Sequence, residues 1–582
     1  LTAIHALALV GAAWLAQDRV AGLPAAPGRI ILSIVGTNDV HGNVFERNGR
    51  GGVAVLGGYM KSLRAARAAD GGAVLLIDAG DTYQGGIESN LSEGGIVVDA
   101  YNALGYVAAA VGNHEFDFGA VDSFGVRPAV SPDDDPRGAL KALAVRARFP
   151  FLAANLLDEA TGRAVDWPNV KPSVLIEAAG VKVGIVGVMT FGALRATLVV
   201  NTRGLRVAPL VQTIEAEASR LREAGAEVVI VAAHAGGSCV RFDDPTDLSS
   251  CDDSSEIFYV ARQLPRGLVD AIVAGHTHAG LAHTVAGIPI IEGFSGGRAF
   301  GRVDLELDRS SRTVMDARLF PPRDLCLLED PVTHACDAAP LRPGSAAPVQ
   351  YEGDLVAADP DIARAMAPAL QQVRDLQAIP LGPIVETTIR RAGDSESPLG
   401  NLFADAMRES TGAEVALTIS NAPGGLRADL TPGPLTFGAL YNVFPFDNRF
   451  ARLVLTAGAL SRVFVDEVRR GRGNTLGISG LRVRGRCSSD GLQIDLLRPS
   501  GEVVDAAEPL EVVAHDYLVT GAVFAPALAP GGFQIPESAP IVIDVVTRWA
   551  QQRGGRMVES SFGNPVERRW DIAGWTTGCA VQ

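Results

Sequence analysis

Short runs of apolar, β-branched residues recur through the first half of this chain and leave little choice of architecture. Residues 30–35, 73–77, 107–111, 181–188, 228–232 and 271–274 each have the composition of a strand buried on both faces. Between them, 53–69 and 209–224 carry helical spacing. Such strands need cover on both sides, so the alternation predicts a layered α/β domain with helices over the sheets.

The polar residues fall at the ends of these strands. Every run except 181–188 leads straight into a loop with groups that can hold a metal. These loops are Asn38-Asp39-Val40-His41-Gly42-Asn43, Asp78-Ala79-Gly80-Asp81, Gly112-Asn113-His114-Glu115-Phe116-Asp117, the position of His234, and Gly275-His276-Thr277-His278. Strand ends on one edge of a layered sheet converge, and ligands bind there. A single histidine in such a loop is ordinarily a surface or core residue. Five of the nine histidines at successive strand ends, with Asp and Asn between them, are hard to explain by packing. Mixed His, Asp and Asn donors suit zinc, manganese, iron or magnesium. Gly42, Gly80, Gly112 and Gly275 let the backbone turn tightly around such ions.

Length and charge narrow the partners. A chain of 582 residues exceeds one ordinary core, which predicts at least two domains. A formal charge of −15 leaves no basic face for a nucleic acid polymer, although a few Arg could still grip a small anion. The apolar run 3–16, followed by small residues at Ala21, Gly22, Ala25 and Ala26, predicts a signal peptide over 1–26 and a periplasmic or secreted protein. No later run is long enough to span a bilayer. The six cysteines contain no C-x-x-C pair. Cys239 with Cys251, Cys326 with Cys336, and Cys487 with Cys579 would make three disulfides suited to an oxidising compartment.

Near residue 340 the texture changes. Residues 338–349 are rich in Pro, Gly and Ala, and Asp359-Pro360 then caps a helix running to about Gln377. Residues 379–383 end that helix, and a second α/β unit follows, with helices near 399–410 and 457–469. The expected divisions are 27–340, a connector with its helix over 341–380, and 381–582.

The ordered set of strand-end motifs resembles the calcineurin-like metallophosphoesterase signature. Together with the second half, it resembles the 5′-nucleotidase and UDP-sugar hydrolase family over nearly everything after residue 30. The resemblance implies a four-layer α/β/β/α metallophosphoesterase domain joined by a helix to a smaller α/β substrate-binding domain. It implies two divalent ions: Asp39, His41 and His278 on the first, Asn113, His234 and His276 on the second, and Asp81 bridging both. Some relatives carry Gln where His278 stands. A metal pair activates a water and clamps the attacking and leaving oxygens at phosphorus, so no protein nucleophile is needed. His114 would aid the leaving oxygen, and Asp117 would orient and charge-stabilise its imidazole.

In the second half, the resemblance implies that Arg390 and Arg427 bind an anion. Phe446 and Tyr517 would stack on a nucleobase, and Asn421 and Asn448 would add hydrogen bonds. This half departs from the family pattern in three places. Asp394 stands where a further Arg is usual, the loop from Asn421 to Arg427 is one residue longer, and Gly521-Ala522-Val523 replaces a G-G-D whose Asp binds ribose hydroxyls. The expected activity is hydrolysis of a small phosphoester, a nucleotide or nucleotide sugar before others. Cyclic nucleotides, other phosphoesters and sulfur esters are the alternatives. A protein that traps nucleotides without turnover would lack some of the seven metal positions, and all seven are present.

Overall fold

The computed structural model describes residues 28–572 apart from 122–134, 198, 332–333, 337–345, 392–395, 421–424, 447, 470–475, 489–490, 521–523, 525–527, 529–531, 536–540 and 565. The expected signal peptide, Asn421, Asp394, the Gly521-Ala522-Val523 segment and Cys579 therefore lie outside the described residues. The chain divides into two compact units, one ending at Leu370 and the other beginning at Gln371.

The first unit is built on two sheets. One runs Val314–Asp324, Ala299–Asp308, Arg29–Thr37, Ala73–Asp78, Tyr106–Ala110, Phe151–Leu152 and Val170–Lys171. Its strands are parallel from Arg29–Thr37 onward, and its first two are antiparallel. The other runs Gly280–Val285, Ile288–Gly293, Ala271–Ala274, Val228–His234, Val181–Met189 and Ser173–Ala178. All six expected strands are present within a residue or two of their expected limits.

Alternation along the strands explains the layering. Val228, Ile230 and Ala232 point into a core shared with Ile30, Leu32, Ile34, Leu75 and Ile77 of the other sheet. Val229, Val231 and Ala233 point the opposite way, onto the helices Leu210–Glu223 and Glu256–Gln263. The far face of the first sheet is covered by Val53–Asp70, Gly95–Leu104 and Gly138–Arg146. Period-two side chains thus bury both faces of both sheets, giving α/β/β/α layers. Gly36 permits the close approach, because a Cβ there would lie 2.5 Å from Val273 Cγ1 in the facing sheet.

Disulfides join Cys239 to Cys251 and Cys326 to Cys336, as the spacing predicts. Among the described residues no helix is long and apolar enough to cross a membrane.

The second unit centres on a five-stranded sheet in the order Leu476–Ser479, Val415–Ile419, Pro509–His515, Phe450–Thr456 and Phe533–Gln534. The helix Ala457–Arg469 supplies Leu460, Val463 and Phe464 to its core. The helix Pro398–Thr411 lies against Val415–Ile419 and is capped by Ser397, whose hydroxyl accepts from the Gly400 N–H at 2.9 Å. The helix expected after Asp359 is Pro360–Gln377. The segment that ends it is itself a strand, Pro380–Val385.

Candidate metal centre

The strand-end loops of the first unit meet at the C-terminal edge of the parallel strands. Backbone hydrogen bonds stitch them together: Asp39 N–H to Gly80 O at 2.9 Å, His41 N–H to Asp81 O at 3.0 Å, and Gly296 N–H to Asp39 O at 2.7 Å. A Cβ on Gly80 would lie 2.8 Å from Gly112 N and 3.0 Å from His234 Nδ1, so only glycine allows this approach. Asp39, His41, Asp81, His276 and His278 all have positive φ, between 48° and 80°. Non-glycine residues avoid this region unless their surroundings hold them there, and such strain concentrates at functional sites.

Two groups of metal-capable side chains result. Asp39, His41 and His278 form one, and Asp81, His234 and His276 the other, with the donor atoms of each within 4.8 Å of one another. Asn113 joins the second through its Oδ1, 3.0 Å from His234 Nε2, because its amide nitrogen is held by Ala196 O at 3.0 Å. Asp81 accepts the His114 N–H through Oδ1 at 2.8 Å and leaves Oδ2 facing His234 Nε2 at 3.3 Å and His114 Nε2 at 3.9 Å. His41, Asp81 and His114 form a third such group, so Asp81 borders both His41 and His234.

The donor set fits a pair of cations. Gln84 O can only accept, so His41 Nδ1, 2.9 Å away, carries the proton and Nε2 presents a lone pair. His234 likewise donates from Nδ1 to Ala79 O at 2.9 Å and turns its Nε2 inward. These inward nitrogens confront other ring nitrogens, His41 Nε2 with His278 Nε2 at 3.0 Å and His234 Nε2 with His276 Nδ1 at 3.2 Å. Asp39 Oδ2 is held by Asn38 at 2.7 Å and by the His276 N–H at 2.8 Å, while the buried Oδ1 faces His278 Nε2 at 3.4 Å. Buried carboxylate oxygens among converging imidazole nitrogens make a donor set that a cation satisfies.

Titration behaviour points the same way. Burial opposes the charge on Asp81, but His234, His114 and His41 hold its carboxyl well below the usual range. Burial equally opposes a charge on His234, yet Asp81, with help from Asp39 and Glu115, raises it to about 10, a proton standing where a metal would. His41, buried and facing His114, is pushed down to about 4. His114 is raised to about 9: burial works against its charge, and the Asp117 and Asp81 carboxylates outweigh it. Its Nδ1 lies 2.5 Å from Asp117 Oδ2, and Thr197 donates to Asp117 Oδ1 at 2.6 Å.

Three residues at this site had no role assigned from sequence. Asn38 and Glu115 lie inside the quoted motifs and bind the backbone of neighbouring loops. Thr197 follows the one strand, Val181–Met189, that leads to no ligand, and only the fold brings it to Asp117.

In the second unit, the Arg427 guanidinium lies 4.9 Å above the Phe446 ring, and Arg391 donates to Arg427 O at 3.0 Å. Tyr517 is 45% exposed. Arg390 is bound at two points by Glu559, Nε to Oε1 at 2.7 Å and Nη2 to Oε2 at 3.1 Å. Asn448 is buried and donates to Asp516 Oδ1 at 2.7 Å, so its amide ties the Phe446 loop to the short helix Asp516–Thr520 that bears Tyr517.

A two-sheet sandwich with paired nitrogen and oxygen donors at its strand ends defines a class, the metal-dependent hydrolases of phosphoesters. Residues 32–280 match the calcineurin-like phosphoesterase model, and residues 376–529 match the 5′-nucleotidase C-terminal domain. The chain belongs to the calcineurin-like phosphoesterases that carry a 5′-nucleotidase C-terminal domain, a family whose members use a divalent metal pair.

It is 27% identical over 528 residues to a snake venom 5′-nucleotidase of Gloydius brevicauda, covering 82% of this chain and 76% of that protein. It is 25% identical over 514 residues to the endonuclease YhcR of Bacillus subtilis, covering 85% of this chain but only 38% of the endonuclease. Among solved structures, a 5′-nucleotidase precursor from Thermus thermophilus shares the fold with a TM-score of 0.59 and 20% identity, over 93% of this chain and 99% of that one.

Proposed function

We propose that the protein is a secreted or periplasmic hydrolase that takes phosphate from nucleoside 5′-monophosphates or splits nucleotide sugars. The observation that carries this reading is the pair of donor groups that Asp81 borders on both sides. Asp39, His41 and His278 would hold one ion and Asn113, His234 and His276 the other, with Asp81 shared between them. The ions, when bound, supply Lewis acidity toward the phosphoryl oxygens and an activated water.

The chain's own residues do the rest. His114, kept protonated by Asp117, stands ready to give a proton to the leaving oxygen. Thr197 and the Asn201 amide, which donates to Phe116 O at 2.8 Å, fix the loop that carries this pair. In the second unit, Arg390 and Arg427 bind the substrate anion, Phe446 and Tyr517 stack on a base, and Asn421 and Asn448 complete the pocket. Residues 27–340 form the catalytic domain, 341–380 the connector, and 381–582 the substrate domain. The two disulfides and the kinship with a venom enzyme support the extracellular assignment.

A substrate panel tests the reading: nucleoside monophosphates, nucleotide sugars, cyclic nucleotides, sugar phosphates, a sulfur ester and single-stranded DNA, each with metal-stripped and manganese-reloaded protein. Phosphate release from nucleotides that disappears in EDTA and returns with the metal is the expected result. Cleavage of the polymer or the sulfur ester alone would refute it.

A further inference from the structure

Glu115 is 1% exposed and engaged at both carboxylate oxygens. Oε2 accepts from the Asp81 N–H at 2.9 Å and the Gly112 N–H at 2.6 Å. Oε1 accepts from the Thr82 N–H at 2.7 Å and the Thr82 hydroxyl at 2.6 Å. The two loops so joined leave neighbouring parallel strands, Ala73–Asp78 and Tyr106–Ala110. Asp81, held at a φ of 57°, in turn accepts the His114 N–H through Oδ1. The bridging carboxylate, Asn113 and His114 are therefore all referred to one buried side chain.

We propose that Glu115 is the positioning residue that fixes Asp81 relative to Asn113 and so decides whether two ions are held as a coupled pair. The proposal rests on the ligand assignment above. All four partners donate to Glu115, so an amide of the same shape must set its NH2 against at least one backbone N–H, either that of Thr82 or those of Asp81 and Gly112. The Asp39 side is tied by other groups, Asn38 and the His276 N–H, which leaves Asp81 and the Asn113 subsite as the part that Glu115 controls. Groups that orient metal ligands typically change affinity by about 10–100-fold when removed.

Manganese binding to Glu115→Gln, read by titration with elemental analysis and by electron paramagnetic resonance, tests this. Wild type should bind two ions with an exchange-coupled spectrum. The variant, with an unchanged circular dichroism spectrum, should keep one ion at near wild-type affinity. It should lose about 10–100-fold for the second and show isolated-ion spectra. Thr82→Val, which removes one donor of four, should lose less than about threefold. Two tightly bound, coupled ions in a folded Glu115→Gln would overturn the proposal. If that variant does not fold, Glu115→Asp decides: its oxygens stop a methylene short, and an unperturbed coupled pair there would equally overturn it. Wild type that takes up no ions would instead remove the ligand assignment, and the clamp with it.

Discussion

His114 presents Nδ1 to the Asp117 carboxylate at 2.5 Å, and that contact, with Asp81 behind it, raises the imidazole to about 9. A histidine held protonated beside the donor cluster is suited to stabilising a leaving oxygen. Asp117→Asn should therefore cut kcat about 10²-fold on a nucleoside monophosphate, whose alkoxide needs the proton. The same variant should lose less than about fivefold on p-nitrophenyl phosphate, whose leaving group needs no proton. Steady-state kinetics on the two substrates measures the split. Equal losses would assign Asp117 to folding rather than to His114.

His234 and His278 are both assigned to metals, but their surroundings differ. His234 is fully buried, with Nδ1 fixed by Ala79 O, whereas the His278 side chain is 48% exposed. His278→Gln keeps a donor of similar reach and should retain activity within about tenfold, with relative activity shifted away from zinc toward harder ions. His234→Gln should lose at least about 10³-fold and one bound ion. Activity assays with zinc, manganese and magnesium, together with metal content, would show the contrast.

Glu292 is buried behind the His276 loop, accepting from the Thr277 hydroxyl at 2.6 Å and the Gly237 N–H at 3.2 Å. Burial pushes its carboxyl up to about 8. The folded state thus holds the proton more tightly than the unfolded chain. Its contribution to stability is complete below the ordinary carboxylate range and is lost as pH rises through about 8. Glu292→Gln should flatten this dependence. Melting curves at pH 5.5 and pH 9 should show the variant gaining on wild type at the higher pH. A difference that does not change with pH would contradict the assignment.

Arg427 lies over Phe446 and Tyr517 is exposed, and the proposed function gives these three the binding of substrate in the second unit. Phe446→Ala or Arg427→Ala should raise KM for AMP about tenfold or more while moving kcat little, since one stacked ring contributes roughly 1–3 kcal/mol. Val523, which cannot accept from a ribose hydroxyl, predicts KM values for AMP and dAMP within about threefold of each other. Val523→Asp should widen that gap in favour of AMP.

The metal centre was legible because its signal is local: each ligand follows a strand whose β-branched composition marks its end. The glycines at 80 and 112 likewise announce tight turns. Strands after residue 275 were harder to place. Val314–Asp324 carries Pro321 and Pro322 and has no fully buried residue, which blurs its alternation, and the sheets cannot be closed from sequence without it. Ala299–Asp308 does alternate, from Ala299 to Asp308, and was open to discovery. Thr197 could not be found, because its approach to Asp117 depends on how the loop after Val181–Met189 folds back. In the second unit, sequence marks Arg390 and Asn448 as substrate groups. Their bonds to Glu559 and Asp516 emerge only from tertiary structure, since the partners lie 169 and 68 residues away in sequence. The pair of carboxylate clamps, Glu115 and Glu292, looks in sequence like any other acid.

Equilibrium dialysis of the metal-stripped protein against manganese, followed by elemental analysis of wild type and Asp81→Asn, tests the two-metal centre most directly. Two ions per chain in wild type and no more than one tightly held in Asp81→Asn is the predicted result, with hydrolysis rising only as the second ion binds. A wild type that holds a single ion, or an Asp81→Asn that holds both as firmly, would contradict it.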